Sequence, residues 1–199
     1  MSRTTSAYSA RANDYIALLG SMAAVHPSDR QVIDTWAAGL SGPVLDAGCG
    51  PGHWTNHLQE LGRDVRGIDL VPAFIDHARA TYPGIRFDLR SIDRIDADDA
   101  SFDGVLSWFS TIHHEPSRMP VPLAEFARVL RPGGRLVLGF FVGPAVEPFD
   151  HAVVRAHRWP VGVMEELLDA AGFEVIETHE RHTRTERPVG AIVGELRAE

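Results

Sequence analysis

Residues 44–52 (VLDAGCGPG) combine a short apolar run, an acidic residue and three glycines at alternate positions. An amphipathic stretch begins soon afterwards, at Trp54. This order predicts a buried strand that turns tightly into a helix, because glycine is needed where a Cβ would block a ligand or where φ must be positive. The segment therefore constrains the chain to an α/β fold with a ligand site at the end of its first strand.

A second acid, Asp69, ends the next apolar run (residues 65–68) and lies 17 residues after Gly52. In α/β nucleotide sites, an acid at the end of the second strand holds ribose hydroxyls. The spacing from the glycine turn favours this role over the alternative that Asp69 is a helix N-cap. Together, the turn and Asp69 predict a pocket for an adenosine-bearing ligand.

The residues around the turn separate two classes of nucleotide ligand. In the dinucleotide fingerprint G-x-G-x-x-G, the third glycine would fall on His53. Asp46, just before the turn, would repel a pyrophosphate at the helix N-terminus. No Gly-Lys-Ser/Thr follows the turn, which excludes a phosphate-binding P-loop. The pattern favours a ligand that offers a cation or hydrogen-bond donors, with an NAD-dependent oxidoreductase as an alternative.

The rest of the chain alternates predicted strands and helices. Strands are predicted at residues 44–46, 65–69, 85–89, 104–108, 136–141, 173–176 and 191–193. Apolar residues at helical spacing separate most of these strands, which indicates a parallel sheet. No helix fits between the last two strands, so we expect this pair to be antiparallel. A capping box at Ser28 and Gln31 is expected to open the helix that precedes the first strand.

Five segments follow one another in a characteristic order and spacing: residues 45–52, 67–70, 101–106, 126–136 and 167–175. Together they resemble the class I S-adenosylmethionine-dependent methyltransferases, most closely the type 11 group. This resemblance implies an α/β fold with a Rossmann-like, doubly wound, mostly parallel seven-stranded sheet and an antiparallel last strand. It also implies S-adenosyl-L-methionine as cofactor, with S-adenosyl-L-homocysteine as product. The chain departs from the family pattern at Ser91, where the family often has an acid near the adenine amine.

The residues expected to contact the cofactor lie at the ends of the first four strands: Asp46, Gly48, Cys49, Gly50, Asp69, Leu70, Ser91, Ile92 and Ser107. We expect Asp46 to contact the ammonium end of the cofactor, although acids also stabilise turns. Residues 48–50 are expected to let the cofactor approach bare backbone. Cys49 is expected to be a small side chain that fits the turn and not a nucleophile.

The remaining contacts are those that the resemblance to the methyltransferases implies. Asp69 is expected to accept hydrogen bonds from both ribose hydroxyls, with Leu70 against the adenine. Residues 91–92 are expected to border the adenine ring, and Ser107 to lie beside the methionine part of the cofactor.

His113 and His114 follow the fourth strand, where an acceptor would meet the methyl group. Histidine is the usual side chain for proton removal near neutral pH. Either residue is therefore a candidate catalytic base if the acceptor is a hydroxyl or a protonated amine. The alternative is that one histidine packs against the cofactor or the N-terminal segment and the other is solvated. No metal site is expected, because no Cys, Asp or Glu at suitable spacing accompanies this pair.

We divide the chain into an N-terminal segment (residues 1–27), expected to be a mobile lid or a frayed terminus, and a single methyltransferase domain (residues 28–199). Residues 140–159 are expected to form a long loop that faces the substrate, in which Asp150 or His151 would touch the acceptor. Aromatic residues near Trp159 are expected to be exposed, which permits a homodimer.

The composition of the chain argues against some classes of binding partner. The net charge of −8 argues against a nucleic-acid partner, which needs clustered basic residues. No apolar run approaches the length of about 20 residues that spans a bilayer, and a single cysteine favours the cytoplasm. We predict a cytoplasmic methyltransferase that acts on a small molecule. The alternative is a catalytically silent protein that binds the same cofactor as a sensor or scaffold.

Overall fold

Parallel strands run through the centre of the sheet in the computed structural model, which describes residues 3–198 of the chain. Over these residues, nine strands (β1–β9) are Val44–Ala47, Val65–Asp69, Arg86–Leu89, Phe102–Trp108, Leu130–Val142, Glu147–Phe149, Ala156–Trp159, Phe173–Arg181 and Val189–Leu196. Seven α-helices (α1–α7) are Arg3–Ala10, Ala12–Leu19, Pro27–Ala38, His53–Glu60, Pro72–Thr81, Pro120–Val129 and Val161–Ala170.

The strand order confirms the predicted architecture. Strands β3, β2, β1, β4 and β5 lie side by side in that order, and every pair among them is parallel. On the far side of β5, β9 pairs antiparallel with β5 and then with β8. The last strand of the chain is therefore antiparallel to both of its neighbours, as predicted. The carboxyl ends of the parallel strands meet at one edge, which is where ligands bind in such sheets.

Two further strands, β6 and β7, occupy the region predicted to be a loop. They form an antiparallel hairpin, and β7 pairs parallel with the end of β5 at Phe141 and Val142. This pairing is available because β4 ends opposite Gly139, so the last residues of β5 extend beyond it. The expectation of exposed aromatic residues near Trp159 is wrong for Trp159 itself, which is 3% exposed, since β7 packs it into the core.

Helices cover both faces of the sheet. On one face, α6 and α7 bury Phe126 and Leu168 against the strands. On the other face, α3 and α4 bury Trp36 and Leu58. Adjacent strand residues alternate between these two layers, which explains why the central strands are apolar along their whole length.

The described part of the N-terminal segment is helical. The predicted capping box at Ser28 and Gln31 is wrong, because α3 begins at Pro27 and His26 is its N-cap. The Nδ1 atom of His26 accepts the backbone N–H of Ser28 at 3.2 Å. Proline suits this first helical position, since it has no N–H that needs a partner. Within residues 3–198, every helix is too short or too polar to cross a bilayer.

Candidate active site

The glycine turn connects β1 to α4 and leaves its backbone accessible. Gly48 has a φ of 89°, and a Cβ at this position would lie 2.2 Å from the Cβ of Ser110. Only glycine avoids this overlap and accepts this backbone conformation. Gly50 also has a positive φ, of 52°, but a Cβ there would meet no atom within 4 Å. The turn is therefore packed tightly at Gly48 and open at Gly50.

Asp69 ties the end of β2 to this turn. One carboxylate oxygen accepts the backbone N–H of Gly50 at 3.0 Å, and the other accepts that of Val71 at 2.8 Å. Val71, and not Asp69, is the N-cap of α5. Burial raises the pKa of Asp69, while the backbone N–H donors act in the opposite direction. Because an ionised carboxylate has about four acceptor sites, Asp69 retains acceptor capacity beyond its hydrogen bonds to the backbone.

Two cavities, of about 300 Å³ and about 290 Å³, lie above the carboxyl ends of the strands. Among the predicted residues, the first cavity is lined by Gly48, Gly50, Asp69, Leu70, Ser91, Ile92, His113 and His114. The second is lined by Asp46, Gly48, Cys49, Gly50 and His151. The cavities share Gly48, Gly50, Tyr8, Tyr15, Trp108 and Phe109. Nearly all of the predicted residues therefore line these two adjoining cavities.

Ser107 and Asp150 are the predicted residues that line neither cavity. Ser107 is completely buried, and its hydroxyl oxygen lies 2.7 Å from that of Ser110, which lines the first cavity. Asp150 is exposed. At the end of β4, Ser110 is thus the serine that faces the cavity, and Ser107 supports it from behind.

Asp46 is a buried acid beside the second cavity. It is 1% exposed, and one of its carboxylate oxygens accepts the hydroxyl of Thr55 at 2.6 Å. Burial raises the pKa of Asp46 to about 7, against the effect of this hydrogen bond. A cation placed next to Asp46 would stabilise its ionised form. Burial also raises the pKa of the Cys49 thiol, so Cys49 is a protonated and unreactive side chain.

The two histidines have different hydrogen-bond partners. The Nδ1 atom of His113 lies 2.8 Å from the carbonyl oxygen of Arg155, so it carries the proton. The Nε2 atom of His113 therefore accepts the hydroxyl of Tyr8, at 2.8 Å. Burial lowers the pKa of His113. His113 is thus a neutral imidazole whose one lone pair lies at the cavity wall.

Both ring nitrogens of His114 lie against hydrogen-bond acceptors. Its Nε2 atom lies 2.7 Å from a carboxylate oxygen of Asp93, and its Nδ1 atom lies 3.2 Å from the carbonyl oxygen of Thr111. Each ring nitrogen is thus directed at a protein oxygen, whereas the Nε2 atom of His113 faces a hydroxyl donor.

The N-terminal helices form one wall of both cavities. The rings of Tyr8, Tyr15 and Phe74 pack against one another with centroids 5.1–5.8 Å apart. Arg11 donates a hydrogen bond to the carbonyl of Ala152 in the β6–β7 connection. The N-terminal segment therefore contacts α5 through Phe74 and the β6–β7 connection through Ala152.

Several residues that line the cavities were not singled out in the sequence, among them Phe109, His53 and Ser110. Phe109 lines both cavities and has a φ of 55°, which is unusual for a bulky side chain. His53 is largely buried, and its Nδ1 atom has no hydrogen-bond partner. Burial lowers the pKa of His53 to about 4. Ser110 is the third, and none of these residues belongs to a motif that marks it. Among the described residues, no group of three His, Cys, Asp or Glu is arranged to hold a metal.

Comparisons with known proteins identify the family of the chain. A family model described as a methyltransferase domain matches residues 44–134. A protein of Mycolicibacterium smegmatis named as a probable S-adenosylmethionine-dependent methyltransferase is 33% identical over 143 residues, which cover 68% of this chain and 53% of the relative. A malonyl-acyl-carrier-protein O-methyltransferase of Serratia marcescens is 31% identical over 109 residues, or 55% of this chain and 42% of that relative. The chain spans about half the length of these curated relatives.

A solved structure matches nearly the whole chain. The 1,6-didemethyltoxoflavin-N1-methyltransferase of Burkholderia thailandensis, solved with 1,6-didemethyltoxoflavin and S-adenosylhomocysteine, superposes with a TM-score of 0.81 at 24% identity. The superposition covers 98% of this chain and 88% of that one, and it shows a common fold. The matched family model, the relatives and the shared fold agree with the five sequence segments: the chain belongs to the S-adenosylmethionine-dependent methyltransferase family.

Proposed function

We propose that the protein transfers the methyl group of S-adenosylmethionine to a small-molecule acceptor by in-line displacement. The observation that carries this proposal is the hydrogen bond from Gly50 to Asp69. This hydrogen bond holds the open backbone of the glycine turn beside a carboxylate that can accept further hydrogen bonds. Gly50 lines both cavities, and Asp69 lines the first of them. This arrangement fits an adenosyl ligand that lies across the turn.

The residues of the first cavity fit the adenosine part. Asp69 would accept both ribose hydroxyls on its remaining acceptor sites. Leu70 is 46% exposed although it is apolar, and an adenine ring would cover it. Ser91 and Ile92 would border the other side of the ring. On the other side of the turn, Asp46 would face the ammonium group, which is the cation that its buried carboxylate lacks.

When bound, S-adenosylmethionine supplies an activated methyl group, because its sulfonium needs no help to leave. The residues of this chain have to align the acceptor and exclude water. Positioning of this kind lowers the activation free energy by roughly 7–11 kcal/mol in favourable cases. We propose that residues 1–27 act as a lid, since Tyr8 and Tyr15 line both cavities and cover the turn.

We propose His113, and not His114, as the base for an acceptor that must lose a proton. The Nε2 atom of His113 has a lone pair at the cavity wall, and this lone pair accepts a hydrogen bond from the Tyr8 hydroxyl. An acceptor hydroxyl or amine would take the place of Tyr8 at this atom. His114 would hold Asp93 and the start of the following loop in place.

A metabolite-sized acceptor is supported by the size of the second cavity, about 290 Å³, and by the net charge of −8. The test is transfer of a labelled methyl group from S-adenosylmethionine to a panel of metabolites, together with calorimetry of S-adenosylhomocysteine binding. We expect binding and transfer. Binding without transfer to any acceptor would support a sensor or scaffold instead. Preferential binding of NADH would contradict the proposal.

A further inference from the structure

Five rings form an arc along one side of the two cavities: Phe109, Phe141, His151, His113 and Tyr8, here called the ring arc. Successive ring centroids in this order are 5.1, 5.9, 5.3 and 5.5 Å apart. Neighbouring planes are inclined to one another by 53–68°. The arc is therefore continuous, and its members come from the N-terminal segment, the end of β4, the end of β5 and the β6–β7 connection.

The backbone at Phe109 supports a functional role for the arc. A left-handed conformation is unfavourable at a bulky residue and persists only where the surroundings enforce it. At Phe109, this conformation places the ring between Trp108 and Phe141, with centroids 5.3 and 5.1 Å away. The strained residue, Phe109, and Tyr8 are the two members of the arc that line both cavities.

The arc carries little charge. Burial lowers the pKa of His151 to about 4, with contributions from His113 and Arg187, and burial also lowers the pKa of His113. Both imidazoles are therefore neutral near pH 7. Their ring nitrogens remain hydrogen-bonding groups, so the arc combines flat apolar faces with uncharged polar atoms.

The cavities also lack an available cation. The chain contains no lysine, and among the described residues two arginines line the cavities. Arg90 is paired with Asp96 at 3.1 Å. Arg181 is paired with Asp29 at 3.0 Å and with Glu186 at 2.5 Å. Arg187 lies outside the cavities, with its guanidinium over the ring of Phe149 and an N–H donated to the carbonyl of Asp150 at 3.2 Å. Neither of the two arginines that line the cavities is therefore unpaired, and burying a carboxylate or phosphate of an acceptor without a partner is unfavourable.

We infer that the methyl acceptor is an uncharged, planar aromatic compound that stacks within the ring arc, and that Phe109, Phe141 and His151 select it. This inference rests on the proposed function, because it concerns the acceptor end of the same site. Aromatic rings prefer inclined or offset neighbours at centroid distances of 4.5–7 Å, which are the spacings that the arc already has.

The test compares matched probes on protein saturated with S-adenosylhomocysteine, by calorimetry. The probes are 2-naphthol, its saturated analogue decahydro-2-naphthol, and 2-naphthoate, which adds a negative charge. We expect 2-naphthol to bind about tenfold more tightly than either of the others. Equal binding of 2-naphthol and decahydro-2-naphthol, or no binding of 2-naphthol, would overturn the inference that the acceptor is aromatic. Tighter binding of 2-naphthoate than of 2-naphthol would overturn the inference that the acceptor is uncharged.

Variants of the ring arc test which residues cause the preference for 2-naphthol. Phe141→Leu and His151→Leu keep an apolar side chain but remove a ring, so both should reduce the preference for 2-naphthol to about threefold or less. Tyr82→Leu removes a ring that packs on Phe87, away from the arc, and should keep the preference. A preference unchanged in both arc variants would refute their assigned role. Failure of the parent protein to bind S-adenosylhomocysteine would instead refute the proposed function, so the two failures are distinguishable.

Discussion

Replacement of Asp69 by asparagine tests the cofactor site most directly. The side chain keeps its size but loses its charge and one of its two acceptor oxygens. The lost interactions are the charge-assisted bonds to the ribose, worth about 1–3 kcal/mol, or about a 5- to 150-fold increase in Kd. In the free protein, the asparagine can accept only one of the N–H groups of Gly50 and Val71, which are now bound at 3.0 and 2.8 Å.

The loss of one backbone partner should lower stability by about 1–2 kcal/mol, or Tm by about 2–8 °C. The assay is calorimetric titration with S-adenosylhomocysteine, paired with thermal unfolding of the same samples. Asp76→Asn, an exposed acid on α5, makes the same charge change and should alter neither quantity. Unchanged affinity in a folded Asp69→Asn protein would show that Asp69 only holds the turn, and the ribose assignment would fail.

Three other predictions concern the turn, the buried acid and the N-terminal wall. Because the pKa of Asp46 is raised to about 7, its neutral form stabilises the folded protein. This contribution to the free energy of unfolding is lost as the pH rises through about 7. A bound ammonium favours the ionised form, so affinity for S-adenosylmethionine should increase between about pH 5.5 and about pH 7.5; an equal increase in Asp46→Asn would contradict this assignment. Gly48→Ala should lose at least about 1–2 kcal/mol of stability in chemical denaturation, because its Cβ meets Ser110. Gly50→Ala, with open space at this point, should fold better than Gly48→Ala yet lose cofactor affinity, and the reverse order would refute this account of the turn. Tyr8→Phe removes the hydroxyl that donates a hydrogen bond to His113. Without this bond, amide hydrogen exchange in α1 should be about 2- to 10-fold faster. Unchanged exchange would show that the bond does not hold the N-terminal segment closed.

Local sequence signals predicted the core of the sheet well. Strand β2 has the predicted bounds, and β1 differs by one residue. The β8 strand runs to Arg181, beyond the predicted end at residue 176. The extra residues are mostly polar and exposed, because β8 pairs on one side only. Edge residues of this kind lack the apolar pattern on which strand prediction depends.

The β6–β7 hairpin had no such signal. Its strands are three and four residues long, and β7 is stabilised by pairing with the distant end of β5. A strand that depends on a partner elsewhere in the chain is not specified by its own residues. The burial of Trp159 follows from the same pairing, so its sequence context suggested exposure incorrectly.

Three features could be predicted from the amino-acid sequence: the glycine turn, the acids that end β1 and β2, and the alternation of strands and helices. These features are local, because backbone conformation and strand-end chemistry depend on residues near in the chain. The hydrogen-bond partners of the two histidines, and the rings that surround the cavities, could not be predicted in this way. Tyr8 and His113 are 105 positions apart, and their contact exists only because the N-terminal helices pack across the ends of the strands.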